Sequence, residues 1–333
     1  GNLKLYDDFR IVQNYVKQDS VWLVDNQHFY YKTKFSKETV IGETTVNYRN
    51  YVINPEFGEK YFETARTCLG KNLAFWVLVW MGQGRSGRYL DDRHKRHGTN
   101  FQDDVDDLHY FYMEYVKHAC VHPDVGRIPV AMLAHSMGGN IGLQFLKQHP
   151  NVFECAAFSA PMLGLKAIQH APLMPLIPIS ALLKTIAGKH YIAGGGPWAP
   201  STRPPDGTEA LSNDSVRVNV HNAWFETDLE LRVGSATNGW LYNALIACWH
   251  ASRDLSRVET PCVAAIAGEE TLIDNNRIRS VFSKIEHAEI IDFPHARHEI
   301  LMEKDEIRDV FFDKFHALIK EHIIDRPETL KPF

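Results

Sequence analysis

Apolar and polar positions follow two rhythms along the chain, and each change of rhythm marks an element. Short apolar runs at residues 73–79, 128–134, 154–159, 262–267 and 288–293 have the length of single buried strands. Between them the spacing becomes helical. Residues 102–118 carry Val105, Leu108, Tyr112, Tyr115 and Val116 on one stripe, with Asp103 and Asp104 suited to the first turn. Residues 299–322 carry Ile300, Ile307, Phe311, Phe315 and Leu318 on one face. A turn at 54–58 followed by a helix at 59–69 fits the same alternation. Near the N-terminus, Leu5, Phe9, Val12 and Val16 stand near helical spacing and predict an amphipathic helix over 5–16. Residues 29–35 and 44–53 are rich in aromatic and β-branched side chains and predict antiparallel opening strands. Strands alternating with helices imply an α/β fold, a mostly parallel central sheet with helices on both faces.

The alternation breaks over 163–250. Residues 170–188 read HAPLMPLIPISALLKTIAG, apolar but with prolines at 172, 175 and 178, so regular helix is not expected at the start. Residues 191–207 are dense in glycine and proline, and helical character returns over 225–247. This predicts a core in two parts, 1–162 and 251–333, with 163–250 inserted as a mainly helical cap or lid.

Composition narrows the function. With 333 residues, 44% hydrophobic and 23% charged, the chain suits a globular protein with a sizeable core. A net charge of −5 gives no reason to expect nucleic acid as a partner, nor general attraction to anionic membranes. Five cysteines, odd in number and without C-x-x-C spacing, argue against a disulfide framework or zinc site and for a reducing compartment. No apolar segment follows a basic start, and the longest apolar stretch, 73–81, is too short to span a bilayer. The expectation is a cytoplasmic protein whose only membrane contact is peripheral, at the inner membrane and through the cap. No metal or cofactor is expected. The acidic run 103–107 reads as a solvated helix start, since no histidine completes a ligand set. The loop GQGRSG lacks the Lys-Ser/Thr ending of a phosphate-binding loop, and Arg85 and Arg88 read as structural hydrogen-bonders.

The chemistry starts at Ser136. Residues 128–144, IPVAMLAHSMGGNIGLQ, run from a buried strand through a small-residue turn into a helix, the context a nucleophile elbow needs. Ala134 takes the place of the first glycine of G-x-S-x-G. A serine hydroxyl needs a base, and the base must be held in one tautomer by an acid. The strands at 262–267 and 288–293 end in GEETLID and PHARHEIL, loops expected at the carboxyl edge of the sheet, where such folds gather their sites. His298, just before the last helix, is the candidate base over His295, which stands nearer the strand end. Glu270 and Asp274 are both candidate acids, and whichever is not the acid should cap or brace the following turn.

AHSMGG, GQGRSGR, the run from Asp91 to Leu108, SAPM and the segment from His298 to Asp305 together resemble bacterial lysophospholipases, of the monoacylglycerol-lipase-like branch of α/β-hydrolases. The resemblance covers roughly residues 50–320, in order. It implies the α/β-hydrolase fold, Ser136 as nucleophile, His298 as base, and Glu270 rather than Asp274 as acid. It also implies a serine ester hydrolase acting on a single-chain lipid, a lysophospholipid or monoacylglycerol, through an acyl-enzyme. The oxyanion loop departs from the family's His-Gly or Pro-Gly opening: the stretch here is Val52, Ile53, Asn54, Pro55 and Glu56. The backbone N–H groups of Asn54 and Met137 would then hold the oxyanion. Val79 and Met81 stand where the family has an Asp and an Arg. In the cap, Leu176, Ile179 and Leu183, with Leu173, Met174, Ile177 and Leu182, would line an acyl tunnel or a lipid-facing lid, or simply pack the cap on the core. Two alternatives remain. An aminopeptidase or amidase of the same fold would use cap carboxylates such as Glu226, Asp228 and Glu230 to hold a substrate ammonium. A non-catalytic ligand-binding relative would explain the altered oxyanion loop.

Overall fold

The structure is a computed structural model, which describes residues 8–18, 21–35, 38–47, 76–122, 126–171, 173–200 and 211–325. The chain divides into two compact units, residues 1–75 and 76–333.

The described residues of the first unit form three strands, β1 (Asp8–Gln18), β2 (Val21–Phe35) and β3 (Glu38–Asn47), in an antiparallel sheet ordered β1-β2-β3. Asp8 pairs with Lys32 and Gln18 with Val21, with a register shift between Asn14 and Tyr15. Asn26 pairs with Asn47 and Phe35 with Glu38. The helix expected over 5–16 is therefore a strand across its described part. Phe9, Ile11, Val12, Tyr15 and Val16 favour strands, and a long antiparallel partner supplies the ladder that outweighs an accidental helical spacing. β2 contains the expected strand 29–35, and β3 overlaps the expected 44–53 only at its end. The turn at 54–58, the helix at 59–69 and residue Asn54 lie outside the described residues.

The second unit begins without a strand. Residues 76–79, the described end of the expected strand 73–79, are irregular, and Val77 is 76% exposed. No described strand pairs with them, and an apolar run without a ladder partner stays irregular. Arg88 organises the glycine loop that follows. Its guanidinium donates to the carbonyls of Gln83, Gly84, Ser86, Arg93 and Glu230 at 2.7–3.2 Å. Helix α1 (Phe101–Phe111), capped by the Asn100 side chain, continues through a π turn at Tyr112–Val116. A small hairpin, β4 (Val121–His122) and β5 (Gly126–Arg127), leads into β6 (Ala131–His135) and α2 (Ser136–Gln148). Then come β7 (Cys155–Ser159), α3 (Leu173–Ala187), α4 (Ser215–Thr227), α5 (Asn238–Ala251), β8 (Cys262–Ala267), α6 (Asn275–Phe282), β9 (Ala288–Phe293) and α7 (Asp305–Ile319).

Strands β6 to β9 form a four-stranded, all-parallel sheet in the order β6-β7-β8-β9. Every residue of the central strands β7 and β8 is buried, which requires cover on both faces. Helix α2 packs on β6 and β7, α7 on β7 and β8, and α6 on β8 and β9. Phe145, Phe158, Phe282 and Phe311 are among the fully buried side chains between these layers. The fold is α/β.

Between β7 and β8 the alternation stops, and among the described residues α3, α4 and α5 follow one another without a strand. Helix α3 packs on α5, which in turn packs on α2. The expectation that helix would not form at the start of this stretch is corrected: α3 begins at Leu173, with Pro178 inside it. Pro175 falls in the first turn, where the N–H has no intrahelical acceptor to lose. Pro178 removes one bond from an otherwise regular helix. Among the described residues no helix is long and apolar enough to cross a membrane. No group of His, Cys, Asp and Glu among them could hold a metal ion.

Candidate active site

Strand β6 delivers the chain to the carboxyl edge of the sheet, and α2 starts at once. The first residue of α2, Ser136, takes a left-handed backbone with φ 49°. This conformation disfavours any side chain with a Cβ, and its occurrence at a serine marks a held, strained turn. The turn is pinned from the loop after β7, since Met162 N–H donates to the Ser136 carbonyl at 2.8 Å. Gly139 is needed for close approach. A Cβ there would lie 2.7 Å from Pro161 Cβ and 2.9 Å from Pro161 Cα.

The loops after β8 and β9 bring two more groups to this turn. His298 Nε2 lies 2.9 Å from Ser136 Oγ, and His298 Nδ1 lies 2.7 Å from Glu270 Oε2. Both His298 and Glu270 are buried, at 4% and 5% exposure. The other Glu270 oxygen, Oε1, accepts from the backbone N–H groups of Thr271 at 2.9 Å and Leu272 at 2.7 Å. Burial pushes the Glu270 carboxyl up. The hydrogen bond and charge of His298, with the Leu272 and Ile273 amides, outweigh it and leave the group below its ordinary value. The two loops touch at Gly268, where a Cβ would stand 2.2 Å from the Pro294 carbonyl oxygen. Glu303, fully buried, braces the His298 loop by accepting from Arg297 N–H at 2.8 Å and Asn213 N–H at 3.0 Å.

Of the remaining candidates, Met137 adjoins Ser136 in the chain. Asp274 caps α6, its Oδ1 accepting from Asn276 N–H at 2.9 Å. The His295 side chain is 87% exposed, with Nδ1 3.9 Å from Glu269. Met137 is the second residue of α2, so its N–H belongs to the first turn, which lacks intrahelical acceptors. On α3, Leu176 is half-buried, while Ile179 is 56% and Leu183 38% exposed. A cavity of about 70 Å³ lies beside α5 and Asp274, lined by Leu163, Ile168, Leu245 and Trp249, and does not include Ser136 or His298. Arg85 pairs with Asp228 at 2.6 Å, and Arg88 holds backbone carbonyls, so both act in structure. Glu303 carries no signal in the sequence, and the signal at His135 and Glu299 is their position beside Ser136 and His298.

A hydroxyl within hydrogen-bond reach of a ring nitrogen, whose other nitrogen faces a carboxylate, can pass its proton to the ring as the oxygen attacks a carbonyl. The carboxylate then stabilises the imidazolium that forms.

Comparison with known proteins agrees with this geometry. Residues 56–305 match the Hydrolase_4 family, described as serine aminopeptidase, S33. Lysophospholipase L2 of Escherichia coli (strain K12) is 30% identical over 268 residues, covering 78% of this chain and 75% of that protein. The crystal structure of Paleococcus ferrophilus monoacylglycerol lipase superposes with a TM-score of 0.56 at 14% identity, over 78% of this chain and 89% of that one. A thermostable carboxyl esterase from Bacillus coagulans gives a TM-score of 0.54 at 16% identity, over 73% and 78%. The chain belongs to the serine aminopeptidase S33 family, and is a serine hydrolase of the α/β-hydrolase fold.

Proposed function

We propose that the chain cleaves the carboxylic ester of a single-chain lipid, a lysophospholipid or monoacylglycerol, through an acyl-enzyme on Ser136. The observation that carries the chemistry is the continuous chain from Ser136 Oγ to His298 at 2.9 Å and on to Glu270 at 2.7 Å. Ser136 Oγ attacks the ester carbonyl while His298 Nε2 takes its proton, and Glu270 holds the ring and stabilises its charge. The Met137 N–H, in the first turn of α2, is the donor that holds the oxyanion. His298 then protonates the leaving alcohol, and water releases the fatty acid by the same route in reverse. The substrate class rests on the 30% identity to a lysophospholipase across three-quarters of both chains.

Residues 163–250 are read as a cap over this site. Ile179, Leu182, Leu183 and Ile186 are all exposed on α3. Such a face suits contact with the micelle or bilayer from which a single-chain lipid is drawn, and it makes peripheral membrane contact part of the proposal. Cys120, Cys155, Cys248 and Cys262 are free thiols, which favours a reducing, cytoplasmic setting. The aminopeptidase alternative draws less support. Asp228 is held by Arg85, and Glu226 and Glu230 are exposed, so the cap carboxylates do not converge on an ammonium site.

The test is a panel of lysophospholipid, monoglyceride, short ester and aminoacyl amide, assayed with the wild type and Ser136→Ala, alongside fluorophosphonate labelling. Hydrolysis of the lipid esters and labelling, both lost in Ser136→Ala, are expected. Turnover of the amide alone would replace the lipid reading, and absence of labelling would favour a ligand-binding role.

A further inference from the structure

His135 precedes Ser136 and Glu299 follows His298, and the two side chains meet. His135 Nε2 lies 3.4 Å from Glu299 Oε2, with 22% and 27% of the side chains exposed. The His135 ring also lies 4.9 Å from the His298 ring, centroid to centroid. The other nitrogen decides the protonation of His135. Nδ1 stands 3.0 Å from the Ser159 carbonyl oxygen, which only accepts, and 3.2 Å from Ser159 Oγ, which can accept as well, so a proton on Nδ1 satisfies both contacts. A neutral ring would then turn its Nε2 lone pair on a carboxylate, which is repulsive. A second proton makes the same contact an ion pair.

The electrostatics run the same way. Burial pulls His135 toward its neutral form, but the Glu299 carboxylate 3.4 Å from Nε2, with the Ser159 carbonyl and the Glu270 charge, carries it above its ordinary value. Burial likewise raises the Glu299 carboxyl, yet His135 first, then the charges of His298 and His221, hold it at about 2. The charges facing the pair thus come from the end of β6, the loops after β8 and β9, and helix α4. When His298 takes the serine proton, two cationic rings stand 4.9 Å apart, each with its own carboxylate, Glu270 or Glu299. Without Glu299 the two rings would repel each other in a site of low polarity. Glu299 is anchored as well, its N–H donating to the Leu211 carbonyl at 2.7 Å.

We propose that Glu299 is a positioning residue for the base: its carboxylate pairs with a doubly protonated His135, ties the His298 loop to the elbow strand, and lets the His298 ring become cationic beside a second cation. This rests on the reading of Ser136 and His298 as nucleophile and base.

Glu299→Gln removes the charge and keeps the shape. The expected result is a fall in kcat of about tenfold with KM little changed, and an acid limb of the kcat/KM profile displaced to lower pH, because a base that loses a nearby anion holds its proton less well. Glu299→Asp should return the acid limb to its wild-type position. A lower kcat with an unmoved limb, or an Asp variant displaced as far as the Gln variant, overturns the proposal. If Glu299→Gln does not fold, ring ¹⁵N shifts of the wild-type protein decide. The His135 signal, identified by its loss in His135→Gln, should show both nitrogens protonated near neutral pH, and a neutral ring there overturns the proposal. Full ester hydrolysis by Ser136→Ala would instead remove the catalytic reading and leave the state of His135 as a separate result.

Discussion

Glu270 and His298 meet at 2.7 Å through one carboxylate oxygen, while backbone N–H groups of the same loop occupy the other. The carboxylate is thus fixed in rotation as well as position. Asp274, in the same loop, spends its side chain on the N-terminus of α6. Glu270→Gln should therefore lower kcat by about 10³–10⁴-fold, the scale seen when a triad acid loses its charge. Asp274→Asn, which preserves a cap, should leave kcat within about twofold. Steady-state kinetics on a short ester reads both, and comparable losses would move the acid's role away from Glu270.

Ser136→Ala is expected to fold as the wild type does and to lose ester hydrolysis. Ser136 sits at φ 49°, and alanine carries the same Cβ into that conformation, so the substitution changes chemistry rather than backbone strain. Residual turnover above about one per cent of wild type would exceed what an oxyanion site alone contributes and would displace Ser136 as nucleophile.

Gly139→Ala tests the packing that shapes the elbow. The added Cβ would fall 2.7 Å from Pro161 Cβ and 2.9 Å from its Cα, and neither can move without shifting the chain after β7. A loss of about 1–3 kcal/mol in stability is expected, the usual cost of overpacking, together with lower kcat. Denaturant unfolding measures the first and ester turnover the second, and unchanged stability would mean the Pro161 turn yields easily.

Asp104 carries a pH dependence of stability. It is 9% exposed, and burial first, then the charges of Asp107 and Asp103, push its carboxyl up from 3.8 to about 7. Between those values the folded chain keeps a proton that the unfolded chain has released. The penalty is thus absent below about pH 4, grows as pH rises, and is complete above about pH 7. Asp104→Asn should stabilise the protein at pH 8 by at most about 4 kcal/mol and change little at pH 4. Equal gains at both pH values would show that the charge is solvated.

The cap predicts substrate preference. If an acyl chain is sheltered as it reacts, four added methylenes at about 0.8 kcal/mol each give about 3 kcal/mol, or around a hundredfold in kcat/KM. p-Nitrophenyl esters from C4 to C8, measured below their micellar limits, should show a rise, and a peak at C2 would favour a small-ester substrate. Ile179 is 56% exposed, so Ile179→Asp should fold normally. It should depress turnover of micellar lipid more than that of soluble C4 ester, and equal effects would argue against a lipid-facing α3.

The elements that position the site were legible in the sequence because their signals are local. Strands β8 and β9 coincide with the apolar runs at 262–267 and 288–293. β8 is buried throughout and apolar on both faces, whereas β9, at the edge of the described sheet, keeps Ile290 and Ile291 as a short apolar run between exposed Glu289 and Asp292, with Phe293 buried beyond them. Ser136 was legible for the same reason, since strand, small-residue turn and helix are contiguous. Four things depended on contacts distant in sequence. Residues 8–18 have a helical spacing, but pairing with 21–35 makes them a strand. Residues 76–79 are apolar, yet no described strand completes their ladder. Glu270 and Asp274 are equivalent in type and loop, and only the approach of the Gly268 and Pro294 loops turns one of them toward His298. His135 and Glu299 are 164 positions apart, as neighbours of residues already singled out, and only the crossing of β6 with the loop after β9 makes them a pair. Periodicity reports which face of an element is buried; which side chains then meet across that burial is a property of the packed chain.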